Sequence, residues 1–207
     1  MADIQLKKSA LTKEKLLEVA EEHFSEKGFF GARVDEIADA AGINKRMLYA
    51  HFGNKEGLYS AVLLKTYQNL AACEKQFIIE GFDPIASIKN IVFISFKFLV
   101  ENPRFVRILL WENLNRGEAV PRTELVKLKE PTLDYMRRQI KRGINMGIFR
   151  SDADEYHTVL SLMSFCFSYF SNIHTMSAVL ERNMTSDDEI RSRAEYISEI
   201  IIKYLQV

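Results

Sequence analysis

Apolar residues recur every three to four positions along almost the whole chain, the spacing that lays them on one face of an α-helix. Leu16, Leu17, Ala20 and Phe24 form the first stripe, with Thr12 placed to cap its start and Gly28 to stop it. Val34, Ile37, Ala38 and Ala41 mark a short second helix ending at Gly42, and Ile43, Leu48 and Phe52 a third, broken at Gly53-Asn54. From Asn54 a long helix carries Leu58, Val62, Thr66, Leu70 and Phe77 towards Gly81. Asp83-Pro84 and Asn102-Pro103 each pair a capping side chain with a proline suited to the first helical position. Ile91–Val100 alone fits a buried strand, but its flanking caps and the length of the segment favour a helix. A further helix spans Arg122–Met146, with a kink or restart expected at Pro131. One capped by Asp152 or Asp154 runs to Leu180, and the last runs from Asp187 to Tyr204. The expectation is an all-α protein of about nine helices without a convincing strand.

Composition narrows the class. Nine Gly and four Pro in 207 residues are too few for a turn-rich β-sandwich. The longest apolar run, Ile91–Val100, contains Lys97 and is about half of a membrane span. No secretory apolar run opens the chain, so a cytoplasmic protein without a membrane partner is expected. Cys73 and Cys166 lie far apart within helical patterns and read as reduced core residues. Asn183-Met184-Thr185 matches a glycosylation sequon that has no secretory route to use it. Glycine-rich phosphate loops, a dinucleotide fingerprint, zinc-protease and nucleophile-elbow motifs are all missing, so neither an enzyme nor a bound cofactor is expected. Asp154 and His157 sit one helical turn apart, but two ligands do not make a metal site, and capping explains them as well.

Charge is balanced, with 28 Lys+Arg against 28 Asp+Glu. That removes the simplest argument for nucleic acid, a strongly basic chain, and moves the question to where the charges sit. Residues 1–60 hold nine basic and ten acidic residues, yet none of the acids falls between Lys45 and Lys55. In Val34–Phe52, a short helix, a Gly42 turn and a second short helix are joined by small Ala38 and Ala41 and wedged by Ile37, Ile43 and Leu48. This is the pattern of a helix-turn-helix, whose second helix enters the major groove of double-stranded DNA. Asn44, Lys45, Arg46 and Ala50 are candidates for base edges; Tyr49, His51, Lys55 and Arg33 are candidates for phosphate. Tyr49 packing within its own domain and a solvated His51 are the plainer alternatives. Lys7 and Lys8 fit either a flexible arm on DNA or a solvated terminus.

Thr12–Leu58 resembles the DNA-binding domain of the TetR family of bacterial transcription regulators. The resemblance runs through Ala20, Phe24, Gly28-Phe29, Ile37-Ala38, Ala41-Gly42-Ile43, Leu48-Tyr49, His51-Phe52 and Lys55-Glu56. Arg142-Gly143-Ile144, Gly147-Ile148-Phe149 and Asp152 resemble the family's effector domain more weakly. Where the family usually has Gly-Thr before Leu48-Tyr49, this chain has Arg46-Met47, so operator sequence does not carry over.

The resemblance implies a helix-turn-helix domain over residues 1–54 and an effector and dimerisation domain over 55–207. It implies a homodimeric regulator, a repressor by preference, on a palindromic operator and released by an unidentified small-molecule effector. The long helix from Lys55 belongs to both domains and would carry the coupling. Phe93, Phe96, Phe105, Trp111, Glu112, Tyr135, Phe165 and Tyr169 are candidates to line an effector pocket. Leu162, Ile173, Met176, Tyr196, Ile200 and Tyr204 are candidates for the dimer interface. Both sets read equally as ordinary core. The rival class is a helical protein-interaction adaptor with a vestigial helix-turn-helix.

Overall fold

The computed structural model describes residues 2–206, with side chains from Ala10 to Gln206. Among them are ten α-helices: α1 (Ala2–Gly31), α2 (Val34–Ala41), α3 (Lys45–Phe52), α4 (Lys55–Glu74), α5 (Pro84–Glu101), α6 (Pro103–Leu114), α7 (Arg122–Asn145), α8 (Glu155–Ser171), α9 (Ile173–Val179) and α10 (Asp187–Leu205). A 3₁₀ turn over Lys75–Phe77 follows α4. The described residues contain no strand, only an isolated antiparallel bridge between Phe149 and Gln206. None of their helices is long and apolar enough to cross a membrane.

The chain forms two compact units. The first takes the residues up to Gln68 together with Pro103–Leu125; the second takes Asn69–Asn102 and the residues from Val126 on. A functional division near residue 55 stays a proposal; as packed, α6 returns to the N-terminal unit. Leu16, Ala20 and Phe24 of α1, Ile37, Ala38 and Ala41 of α2, Leu48 of α3, Leu58, Tyr59 and Val62 of α4 and Ile108 of α6 form the core of this first unit. Phe24 meets Tyr59 edge-on at 4.9 Å. In the second unit α5 packs on α8 and α10, burying Ile88, Val92 and Leu99 of α5, Leu162 of α8, and Ile197 and Ile201 of α10.

Local signals set most helix ends as expected. Asp83 accepts from the amides of Ile85 and Ala86 at 2.9 and 3.0 Å, and Asp154 from that of His157 at 2.8 Å. Asp154 therefore works as a cap. Ser186 caps α10 through the Glu189 amide.

Three expectations are corrected, and of the kink or restart expected at Pro131 the restart is absent. Thr12 does not start α1, which extends back to Ala2; Gly28, at φ 66° and ψ 179°, does interrupt it. Asn102 does not cap α6. Its amide donates back to the Phe98 carbonyl at 2.8 Å and so closes α5. Pro131 causes no restart, and α7 continues on both sides of it. The long helix expected to reach Leu180 ends at Ser171. There the Asn172 amide and the Ser171 hydroxyl both turn to the Ser168 carbonyl, at 3.0 and 3.3 Å, in competition with the helical ladder. That break raises the helix count from nine to ten.

Cys166 is buried and Cys73 half-buried; both are free. Burial pushes the Cys166 thiol up to about 12 and raises that of Cys73 as well. At pH 8 only about 10⁻⁴ of Cys166 is thiolate, the reactive form. Mass spectrometry after brief iodoacetamide treatment should find Cys166 modified only in unfolded protein.

Candidate nucleic-acid interface

The turn between α2 and α3 is built from local chemistry. Gly42 takes the left-handed conformation, φ 64° and ψ 35°, which a side chain would strain. Its amide donates to Asp39 at 2.9 Å and that of Ile43 to Ala38 at 3.0 Å. This double closure satisfies the last carbonyls of α2. Asn44 then opens α3, its side-chain oxygen accepting from the Arg46 amide at 2.8 Å. That oxygen is committed to the cap.

Leu48 anchors α3 in the core, while Lys45, Arg46, Met47, Tyr49 and Ala50 are exposed. The base-edge candidates Asn44, Lys45, Arg46 and Ala50 thus share one open end and face, with Tyr49 alongside. Lys45 is not a free charge, contrary to the sequence reading. It is paired with Asp35 of α2, and its ammonium also lies 5.8 Å from the Tyr49 ring centre. The hydrogen bond between the two partners lowers the Asp35 carboxyl below its ordinary 3.8 and raises Lys45 above 10.5. The Asp35 contribution is therefore present above pH 3.8 and lost as pH falls through the lowered value. Glu36, beside it, is taken by Lys27 at 2.5 Å. Arg46 has no acidic partner among the described residues. Asp35→Asn should free Lys45 and steepen the salt dependence of non-specific duplex binding by about 0.9 in the log–log slope per new phosphate contact. Fluorescence anisotropy at several salt concentrations reads that slope, and an unchanged slope would mean Lys45 faces away from DNA.

Arg33 is exposed at the start of α2 and makes no side-chain cap. His51 is half-buried beside Phe52, ring centres 6.1 Å apart. Lys55 turns towards its own fold: its ammonium lies 4.8 Å from the Phe29 ring centre and donates to the Phe30 carbonyl at 3.5 Å. This burial lowers its pKa, against the opposing pull of Glu56. The Lys7 and Lys8 side chains lie outside those described.

Gly57, which the sequence pattern does not single out, sets the exit of α3 together with the expected Asn54 cap. Asn54 accepts from the Gly57 amide at 2.7 Å, and a Cβ on Gly57 would stand 2.1 Å from the Phe52 carbonyl oxygen. Only glycine lets α4 leave α3 this closely. Gly57→Ala forces α3 to shift and should lower stability by about 1–3 kcal/mol, as overpacking does. Thermal unfolding together with a gel shift would register both the strain and the displaced reading helix.

The proposed effector residues are divided between the two units, each with its own share. Phe105 packs edge-on against Tyr67, 5.7 Å between ring centres, within the first unit. Trp111 and Glu112 lie there too; the indole donates to the Ser25 carbonyl at 3.3 Å, and Glu112 is buried. In the second unit Tyr135 is buried, stacked on Phe77 and bonded to Ser87 and to the Ile79 carbonyl. Phe96 is buried against Tyr169 and Phe170. Phe93, exposed, lines a recess of about 650 Å³ with Phe82, Ala86, Asn90, Arg191 and Ser198. Phe165 and Tyr169 line a different one, of about 530 Å³. Of the dimer candidates, Leu162 is 1% exposed and packs within its own unit. Ile173 is half-buried, while Met176, Tyr196, Ile200 and Tyr204 are exposed.

Residues 16–62 match the family model described as bacterial regulatory proteins, tetR family. Residues 84–201 match the tetracyclin repressor-like C-terminal domain. The chain belongs to the TetR family. Among TetR-family relatives, the HTH-type transcriptional repressor NicS of Pseudomonas putida is 30% identical over 94% of this chain and 92% of that protein. The HTH-type transcriptional regulator RutR of Escherichia coli is 27% identical over 92% of this chain and 89% of its own length. The crystal structure of a TetR transcriptional regulator from Chloroflexus aurantiacus superposes with a TM-score of 0.75 at 17% identity, over 97% of this chain and 99% of that one. That likeness is one of TetR fold. The helix-turn-helix described above lies within the TetR regulatory match, and the chain is a TetR-family transcriptional regulator.

Proposed function

We propose that this chain represses transcription as a homodimer that lays α3 into the major groove at two half-sites of a palindromic operator. The observation that carries the reading is the open face of α3. Arg46, Tyr49 and Ala50 project from a helix whose Leu48 side is locked into the core. Asn44, Lys45 and Arg46 meet the base edges, with Ala50 against a thymine methyl; Tyr49, His51, Lys55 and Arg33 meet phosphates. For Lys55 this requires leaving Phe29, so part of its phosphate energy offsets the cation–ring attraction it gives up.

Dimerisation is supported by exposed apolar side chains on two helices of the second unit. Tyr156, Leu160 and Met163 recur at helical spacing on α8, and Tyr196, Ile200 and Tyr204 on α10. Exposed apolar stripes of this kind suit an interface, and a two-fold dimer sets the half-sites about 34–36 Å apart. We assign release of the operator to a small molecule in the second unit, where the recess lined by Phe82 and Phe93 offers room. An effector that favours the DNA-incompatible state by about 1–3 kcal/mol suffices for a useful switch. A salt-dependent gel shift on the DNA upstream of the protein's own gene tests the reading. A discrete shifted band protected over two symmetric half-sites is expected. Binding that does not distinguish this DNA from unrelated duplex would sink it.

A further inference from the structure

Met47 faces outward from α3 at 43% exposure, although it is among the least polar side chains of that helix. Ile43, Leu48 and Phe52 are what α3 and its approach give to the core of the first unit, and Met47 is not among them. The Met47 amide donates to the Asn44 carbonyl at 2.8 Å, which holds the residue in the first turn. That turn is the part of a helix-turn-helix that reaches base edges. Residues three apart adjoin on a helix surface, so Met47 and Ala50, also exposed, form one apolar strip beside Arg46. At about 100° per residue, Lys45 and Tyr49 fall on the opposite flank, where Lys45 is taken by Asp35.

The chemistry of the thioether limits what it can meet there. It has no donor, and its sulfur is a weak acceptor at most, so a phosphate oxygen offers it no bond. Adenine, guanine and cytosine mark their major-groove edges with donors and acceptors alone, whereas thymine adds the C5 methyl. That methyl is the one apolar group by which the groove distinguishes a base. The Met side chain is unbranched, with three rotatable bonds and a polarizable sulfur, and adapts its shape to an apolar partner. It also reaches further from the helix than the single side-chain carbon of Ala50.

We infer that Met47 determines specificity at one thymine in each half-site by packing its thioether on the C5 methyl. The inference rests on α3 entering the major groove, as proposed above. Met47 thus reads a base without a hydrogen bond, next to Arg46, which reads by two of them. Its discrimination comes from apolar area removed from water. It is therefore carried by a single methyl group, which can be deleted from the DNA without touching base pairing.

The probe is a duplex selected from a random-sequence pool by the full-length wild-type protein. It is resynthesised with each thymine in turn replaced by deoxyuridine in both half-sites, and affinities are read by fluorescence anisotropy. Deoxyuridine pairs as thymine does and lacks only the methyl. One thymine is expected whose methyl is worth about fifteenfold to the wild type, about fourfold for each half-site. Met47→Gln, similar in length but polar, should bind the thymine and deoxyuridine duplexes alike, while Met47→Leu keeps most of the difference. A merely structural role would weaken both duplexes in proportion and leave their ratio unchanged. A selected half-site without any methyl-dependent thymine overturns the assignment, and needs only the wild-type chain. So does a ratio that is the same in the wild type and in folded Met47→Gln, or one abolished by Ala50→Gly and kept by Met47→Gln. If the wild type selects no duplex at all, the operator reading falls as well; if it selects one and the ratio ignores Met47, this assignment falls alone.

Discussion

Replacing Lys129 with methionine should cost the protein about 3–5 kcal/mol of stability, more than most single substitutions. Lys129 of α7 is buried beside Glu74, the last residue of α4, and its ammonium reaches both carboxylate oxygens. The Thr132 hydroxyl donates to one of them at 2.9 Å. All three residues belong to the second unit and are at most 8% exposed. Burial lowers the Lys129 pKa against the pull of Glu74, so the pair stands because each charge answers the other. With methionine at 129, the Glu74 carboxylate keeps one hydroxyl and loses its counter-charge. That leaves an uncompensated charge out of water, and its desolvation is the source of the loss. Adding Glu74→Met should recover most of the loss, since apolar replacement of a whole buried pair is often neutral or better. Urea unfolding of both single variants and the double variant closes the cycle. A single-variant loss under about 1 kcal/mol would show that the pair is hydrated in solution.

What can be read in the residues depends on how far apart the deciding groups stand. The α2–α3 turn is legible because its chemistry is local: Gly42 for the left-handed closure and Asn44 for the cap lie within a few residues of what they serve. The Lys45–Asp35 pair escapes a sequence reading although only ten positions separate the partners. Looking for acids within the run from Lys45 to Lys55 ignores the turn that brings α2 back against α3. Glu112 and Trp111 group with the larger domain when order along the chain is the guide, because they follow α5, yet α6 packs on α1. No periodicity reports that return. On α8, apolar on nearly every side, Leu162 is the outward candidate by sequence, whereas Leu160 and Met163 are the exposed positions. Periodicity alone does not choose a face when most faces are apolar. The buried ion pair does leave a trace. Glu74 falls in step with buried Ala71 and Phe77, and Lys129 with buried Thr132 and Met136. Two opposite charges, each in phase with a core stripe, are a readable signature of a buried pair.

Arg46→Ala should be the most damaging single change to operator recognition. Arg46 is exposed one residue into α3, and the Asn44 cap fixes its backbone through the amide it donates. Its neighbour Lys45 is held by Asp35, whereas no acid among the described residues competes for the guanidinium. Two parallel donors match the acceptor pair on the major-groove edge of guanine, an interaction worth about 1–3 kcal/mol against the wrong base. A two-fold dimer makes it twice, so the loss per operator is about 2–6 kcal/mol. In affinity this is roughly thirtyfold to more than ten-thousandfold. Magnitude alone does not separate base reading from phosphate holding, but the pattern of loss does. Truncating a side chain that reads a base relaxes the preference at one operator position per half-site and leaves binding to unrelated DNA nearly unchanged. Truncating one that holds a phosphate, as expected for Lys55→Ala, weakens every duplex alike and lowers the salt slope by about 1 for each phosphate no longer neutralised. Measuring both variants on the operator and on its single-base substitutions at two salt concentrations decides between these roles. Uniform weakening by Arg46→Ala across all those duplexes would reassign Arg46 to the phosphates and leave Asn44, Lys45, Met47 and Ala50 as the readers of sequence.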